Sequence, residues 1–132
     1  MDDSTKILIV DEDILSIVNV SATLLRRGYA VSHATDQEQA LEAVRDSKPD
    51  LIICNLDCRK LNAAQFVQRV NQGSESQGIP FLFMIESQRE DALAPEILGP
   101  KQYLVKPFSK DQVTTAVQEH FRRQRPKTFD QP

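Results

Sequence analysis

Short, continuous apolar runs alternate along this chain with longer stretches in which apolar residues return every three or four positions. Lys6-Ile7-Leu8-Ile9-Val10 is β-branched and too short for a helix, so it predicts a strand buried on both faces. After Asp11-Glu12-Asp13, the residues Ile14, Ile17, Val18, Leu24 and Leu25 recur at helical spacing. Asp13 can cap that helix and Gly28 supplies a left-handed stop. Residues 29–34 read as a second strand, and Thr35-Asp36-Gln37-Glu38 fits a capping box opening a helix with Ala40, Leu41 and Val44 inward.

Leu51-Ile52-Ile53-Cys54 is a third buried strand, introduced by Pro49-Asp50. A weaker helix follows, with Phe66, Val67 and Val70 inward, and ends near Gly73 in a polar loop that runs to Gly78. Residues 81–85 form the fourth and most apolar strand, and 87–98 read as a helix shortened or kinked by Pro95. Tyr103-Leu104-Val105 is the fifth strand. Ser109 to Gln112 is a second capping box, opening a helix with Val113, Ala116, Val117, His120 and Phe121 on one face. The pattern dissolves after residue 123, which divides the chain into a domain over 1–123 and a polar tail or linker over 124–132. Five strands alternating with five helical segments imply an α/β fold with a parallel sheet and right-handed crossovers.

Composition narrows the function classes. The 132 residues, 40% hydrophobic and 27% charged, suit one globular domain with its own core. A formal charge of -3 gives no overall electrostatic footprint for nucleic acid or an anionic membrane. No apolar run approaches the roughly twenty residues that span a bilayer. With only Cys54 and Cys58 and no secretory signal, a cytoplasmic setting is expected. A zinc site would need two more ligands, and only His33 and His120 are available.

Parallel sheets build their sites at the carboxyl ends of the strands. Those ends carry Asp11-Glu12-Asp13, Asn55 with Asp57, Ile85-Glu86-Ser87, and Lys106-Pro107. Carboxylates from the first strand and a lysine from the fifth can converge on a pocket near Asn55. The first loop has no glycine for a phosphate cradle, and no G-x-S-x-G motif marks a hydrolase.

Three segments, Ile7-Leu8-Ile9-Val10-Asp11-Glu12-Asp13, Pro49-Asp50-Leu51-Ile52-Ile53-Cys54-Asn55-Leu56 and Tyr103-Leu104-Val105-Lys106-Pro107-Phe108, resemble the signatures of response-regulator receiver domains, the CheY-like fold. The resemblance covers about residues 5 to 123. It implies a five-stranded parallel sheet in the order 2-1-3-4-5, with helices on both faces. It also implies that Asp11 and Glu12 are the acidic pair that holds magnesium and that Lys106 pairs with the phosphoryl group. Pro107 matches a proline usually preceded by a cis bond.

The departures matter more. Asn55 stands where the family has its phosphoaccepting aspartate. Transfer to that position needs a carboxylate nucleophile, and a carboxamide oxygen is far poorer. Asn keeps the shape of Asp, so the pocket can survive where the reaction cannot. Ile85 stands where the family has a switch Thr or Ser, and Tyr103 matches the aromatic that couples to that hydroxyl. Ser87 substitutes in part only if the register slips.

The chain therefore resembles a degenerate receiver, a pseudo-receiver of two-component phosphorelay signalling that acts by protein–protein interaction and not as an enzyme. The competing readings are an active receiver phosphorylated at Asp57 and a small magnesium-dependent enzyme on the same fold. Magnesium, where bound, would use Asp11, Glu12, Asn55 and the backbone carbonyl of Asp57, and bind weakly. The resemblance puts the partner surface on the fourth helix, fifth strand and fifth helix, with Leu93, Ile97, Gln102, Tyr103, Lys110 and Thr114 and a basic end at Arg122 and Arg123. A homodimer, or a C-terminal effector domain in a longer chain, fits the same reading.

Overall fold

Every apolar run becomes a strand whose successive side chains enter opposite halves of one core. The structure, a computed structural model, describes residues 5–86 and 102–124. In chain order these form β1 (Lys6–Val10), α1 (Ile14–Arg26), β2 (Ala30–Ala34), α2 (Gln37–Ser47), β3 (Leu51–Asn55), α3 (Ala63–Gln72), β4 (Phe81–Glu86), β5 (Gln102–Lys106) and α4 (Lys110–Gln124). The five strands pair in parallel in the order β2-β1-β3-β4-β5. The expected helix over 87–98, with Ser87, Leu93, Pro95 and Ile97, lies outside the described residues, as does the tail beyond residue 124.

The strands alternate strictly. Ile7, Ile9, Leu51, Ile53, Leu82, Met84 and Leu104 meet Ile17, Val20 and Leu24 of α1 and Val113 and Val117 of α4. Leu8, Val10, Ile52, Cys54, Phe81 and Phe83 meet Ala40 and Val44 of α2 and Phe66, Val67 and Val70 of α3. Helices therefore cover both faces, which is why the central strands read as unbroken apolar runs.

Three details differ from the sequence reading. The N-cap of α2 is Asp36, whose carboxylate accepts the Gln39 amide, and Gln39 answers through Thr35, so the capping box sits one residue later than Thr35–Glu38. The inner stripe of α1 is Ile17, Val20, Thr23 and Leu24. Ile14, Leu15, Val18 and Leu25 stand 53 to 72% exposed. Thr114, expected on a partner-facing surface, is buried. It follows Val113 into the first inward turn of α4. Among the described residues no helix is long and apolar enough to cross a membrane.

Phe66 anchors α3. It is fully buried and meets Phe81 edge-on with ring centroids 5.8 Å apart. Phe66→Ala should lower unfolding free energy by about 3–5 kcal/mol in urea titration, the range for an emptied aromatic site. A loss under about 1 kcal/mol would contradict this packing.

Candidate functional site

The register of the sheet builds the site. Val10 pairs with Cys54, so Asp11 and Asn55 emerge side by side from adjacent strand ends. Glu86 pairs with Lys106 at the ends of β4 and β5, so the lysine reaches toward them from the far side of β4. The Asp11 amide donates to the Ala34 carbonyl of β2 at 3.1 Å, which fixes the start of the β1–α1 turn. The Lys106–Pro107 bond is cis.

Asp11 is the centre of the arrangement and is fully buried. Its Oδ1 accepts the Asn55 Nδ2 amide at 3.0 Å and the Asp13 backbone amide at 3.0 Å. Lys106 Nζ lies 4.0 Å from Oδ2, an oxygen with no hydrogen bond of its own. A buried carboxylate needs such donors and a counter-charge to offset its lost hydration.

Asn55 is nearly buried and both ends of its carboxamide are engaged. The nitrogen donates to Asp11, and Oδ1 accepts the Asp57 backbone amide at 2.9 Å. The carboxamide bridges β1 to the loop after β3. Reversing it would aim its oxygen at the Asp11 carboxylate and its NH2 at the Asp57 amide, so the network fixes its orientation.

Glu12 lies across the same loop. Its Oε1 accepts the Arg59 amide at 3.2 Å and lies 3.9 Å from the Cys58 thiol sulfur. This tie from the acidic pair to the loop after β3 is invisible in the sequence, because neither Cys58 nor Arg59 belongs to a recognisable motif.

Ile85 is fully buried in β4, paired with Val105, and brings no hydroxyl to the strand end. Tyr103 packs its ring 6.0 Å from Phe83. Cys54 and Cys58 are both free and buried. Burial pushes the Cys54 thiol strongly upward, reinforced by Cys58 and Asp11, and burial also raises Cys58. Both therefore favour the neutral thiol at neutral pH.

The donor set fits magnesium only in part. The Asp11 Oδ2 atom is a buried oxygen with lone pairs free of hydrogen bonds. Yet Glu12 Oε1 already serves the Arg59 amide, and the Asn55 oxygen is neutral and serves Asp57. Among the described residues no group of three or more His, Cys, Asp or Glu is set to hold a metal. An open cleft of about 400 Å³ flanks Lys106, between the first turns of α1 and the segment Pro107-Phe108.

Comparison with known proteins agrees with this geometry. The model of the response regulator receiver domain matches residues 7–118. The chain is 32% identical over 119 residues to the alkaline phosphatase synthesis transcriptional regulatory protein PhoP of Bacillus subtilis, covering 89% of this chain and 49% of that one. It is 28% identical to Protein PilG of Pseudomonas aeruginosa, covering 89% of this chain and 88% of that one. The chemotaxis response regulator CheY4 of Vibrio cholerae superposes with a TM-score of 0.78 at 28% identity, over 88% of this chain and 98% of that structure. The chain spans about half or less of the first curated relatives it matches, 49, 53 and 25% of their lengths. With the family model matching residues 7–118 and the sheet in the order β2-β1-β3-β4-β5, the chain belongs to the response regulator receiver domain family.

Proposed function

We propose that this receiver domain has lost phosphoryl transfer at position 55 and signals by protein–protein interaction in one fixed state, without catalytic turnover. The observation that carries the reading is the Asn55 carboxamide. It fills the acceptor position while donating to Asp11 at 3.0 Å and accepting from Asp57 at 2.9 Å. An aspartate there would set a second carboxylate against Asp11. Such a pair needs a cation or a proton to coexist. The carboxamide removes that requirement and gives Asp11 Oδ1 an internal donor, while Oδ2 is left facing Lys106 at 4.0 Å. Ile85 supports the same reading, since it has no hydroxyl to follow a phosphoryl group. Lys106 then serves as the counter-charge of Asp11 in the resting domain.

The working surface proposed is the family's, made by the segment before β5, β5 itself and α4. Tyr103 is half-buried and Lys110 exposed on it. Arg122 is exposed and forks onto Glu119 at 2.8 to 3.1 Å, which holds its guanidinium at the helix end. Leu93 and Ile97 lie outside the described residues, as do the side chains of Gln102 and Arg123. A cytoplasmic location, a C-terminal effector in a longer chain, and output by a protein partner and not by direct nucleic-acid contact belong to the same proposal.

Incubation with acetyl phosphate and magnesium should leave the intact mass unchanged, while Asn55→Asp gains one phosphoryl group. A stoichiometric adduct on the parent would overturn the reading, and an adduct mapped to Asp57 would establish the active-receiver alternative.

Asn55→Asp should also bind magnesium more tightly, by on the order of tenfold or more, because it adds a charged hard ligand. In chelator the same variant should melt below the parent, with a loss of roughly 1–3 kcal/mol from the lost amide donor and the added buried charge. Magnesium should restore most of it. Equal magnesium affinity and equal melting in chelator would mean that position 55 does not face Asp11 in solution.

On the partner surface, Tyr103→Ala and the pair Arg122→Glu, Arg123→Glu should each abolish capture of a partner recovered by the parent domain, with or without phosphodonor. Retention by both folded variants would move the interaction off this face.

A further inference from the structure

The helix α1 carries a second apolar stripe that the fold does not use. Leu15, Val18, Ala22 and Leu25 are exposed in a row with spacings of three, four and three residues, the pattern of a coiled-coil seam. Leu15 is 72% and Leu25 56% exposed. Isolated exposed apolar residues are ordinary, but a continuous seam is not. Beside it, between α1 and the edge strand β2, runs a groove of about 410 Å³ that includes Val18, Ala22, Leu25, Val31 and His33 in its walls.

We propose that this seam pairs with a second copy of the chain, α1 against α1 in antiparallel fashion about a two-fold axis at the level of Val20. The stripe is symmetric about that level: Leu15 falls opposite the partner's Leu25, and Val18 opposite the partner's Ala22. The charges are symmetric in the complementary sense. The exposed Asp13 precedes the helix and the exposed Arg26 and Arg27 end it, so the antiparallel arrangement sets each acidic end against the other copy's basic end. A parallel pair would set like charges together. The most exposed side chain, Leu15, then enters the partner's groove beside its Leu25. A two-fold interface requires this self-complementarity, in which each residue meets its mirror position. A seam about 15 Å long gives a contact at the low end of specific interfaces, roughly 1,200 Å² or less. The dimer is therefore weak and depends on concentration. Val18, Ala22 and Leu25 lie on the β2 side of α1, while the Leu15 end of the seam borders the cleft beside Lys106.

Sedimentation of the full chain from about 10 µM to 1 mM, the span of a weak complex, should show a monomer–dimer equilibrium. Leu15→Glu with Val18→Glu should shift it to monomer while circular dichroism stays native, since both positions are exposed. In a separate arm, Leu15→Cys and Leu25→Cys chains are mixed and oxidised with copper phenanthroline. The mixed disulfide between the two variants should exceed either same-variant disulfide several-fold. A monomer across the whole range would overturn the proposal, as would equal or preferred same-variant cross-linking.

Discussion

A carboxylate buried at the end of the first strand governs the rest of this site. Asp11 is fully enclosed, and a charge in that position must be answered by donors from the protein. Three elements answer it. The β1–α1 turn supplies the Asp13 amide, β3 supplies the Asn55 carboxamide, and β5 supplies the Lys106 ammonium at 4.0 Å. Each needs its strand or turn in register, so the sheet order and the site are one constraint. Moving any of these strand ends by one residue would strand a charge.

Asn55 changes the logic of that constraint. With a carboxylate at this position, the strand end would hold two close negative groups and depend on what binds there. With a carboxamide, the charges of Asp11 and Lys106 balance and the Asn55 hydrogen bonds close between Asp11 Oδ1 and the Asp57 amide, while Oδ2 faces Lys106 without a hydrogen bond. The proposed loss of switching follows from this closure: a ligand shifts a conformational equilibrium only by its differential affinity for the two states. The buried Ile85 side chain gives the fourth strand no polar group to move toward the site.

Much of the fold was legible in the chain because strands and helices here have unambiguous periods. The runs at Ile7–Val10, Leu51–Asn55 and Phe81–Ile85 are buried on both faces, and such runs announce parallel strands. The strand-end residues Asp11, Asn55 and Lys106 were legible as a group because a parallel sheet brings its carboxyl ends together. Three features were not. The α2 cap slid by one residue because Thr35, Asp36, Glu38 and Gln39 offer overlapping capping pairs, and only the three-dimensional fit chooses between them. Helix α1 carries apolar residues on two sides, so periodicity alone did not say which side faces the sheet. The Glu12 link to Arg59 joins backbone to side chain, and a backbone amide leaves no mark on a sequence.

The central claim is that the Asn55 carboxamide holds Asp11 and closes the site in one state, and its side-chain NH2 is a direct reporter. In ¹⁵N-resolved NMR of the parent domain, the account predicts a resolved Asn55 NH2 pair with slow solvent exchange. It also predicts that the pair and the amides of β4 and β5 stay unmoved when magnesium and beryllofluoride, a phosphoryl mimic, are added together. A rapidly exchanging Asn55 NH2, or a second set of β4 and β5 resonances on adding the mimic, would contradict it.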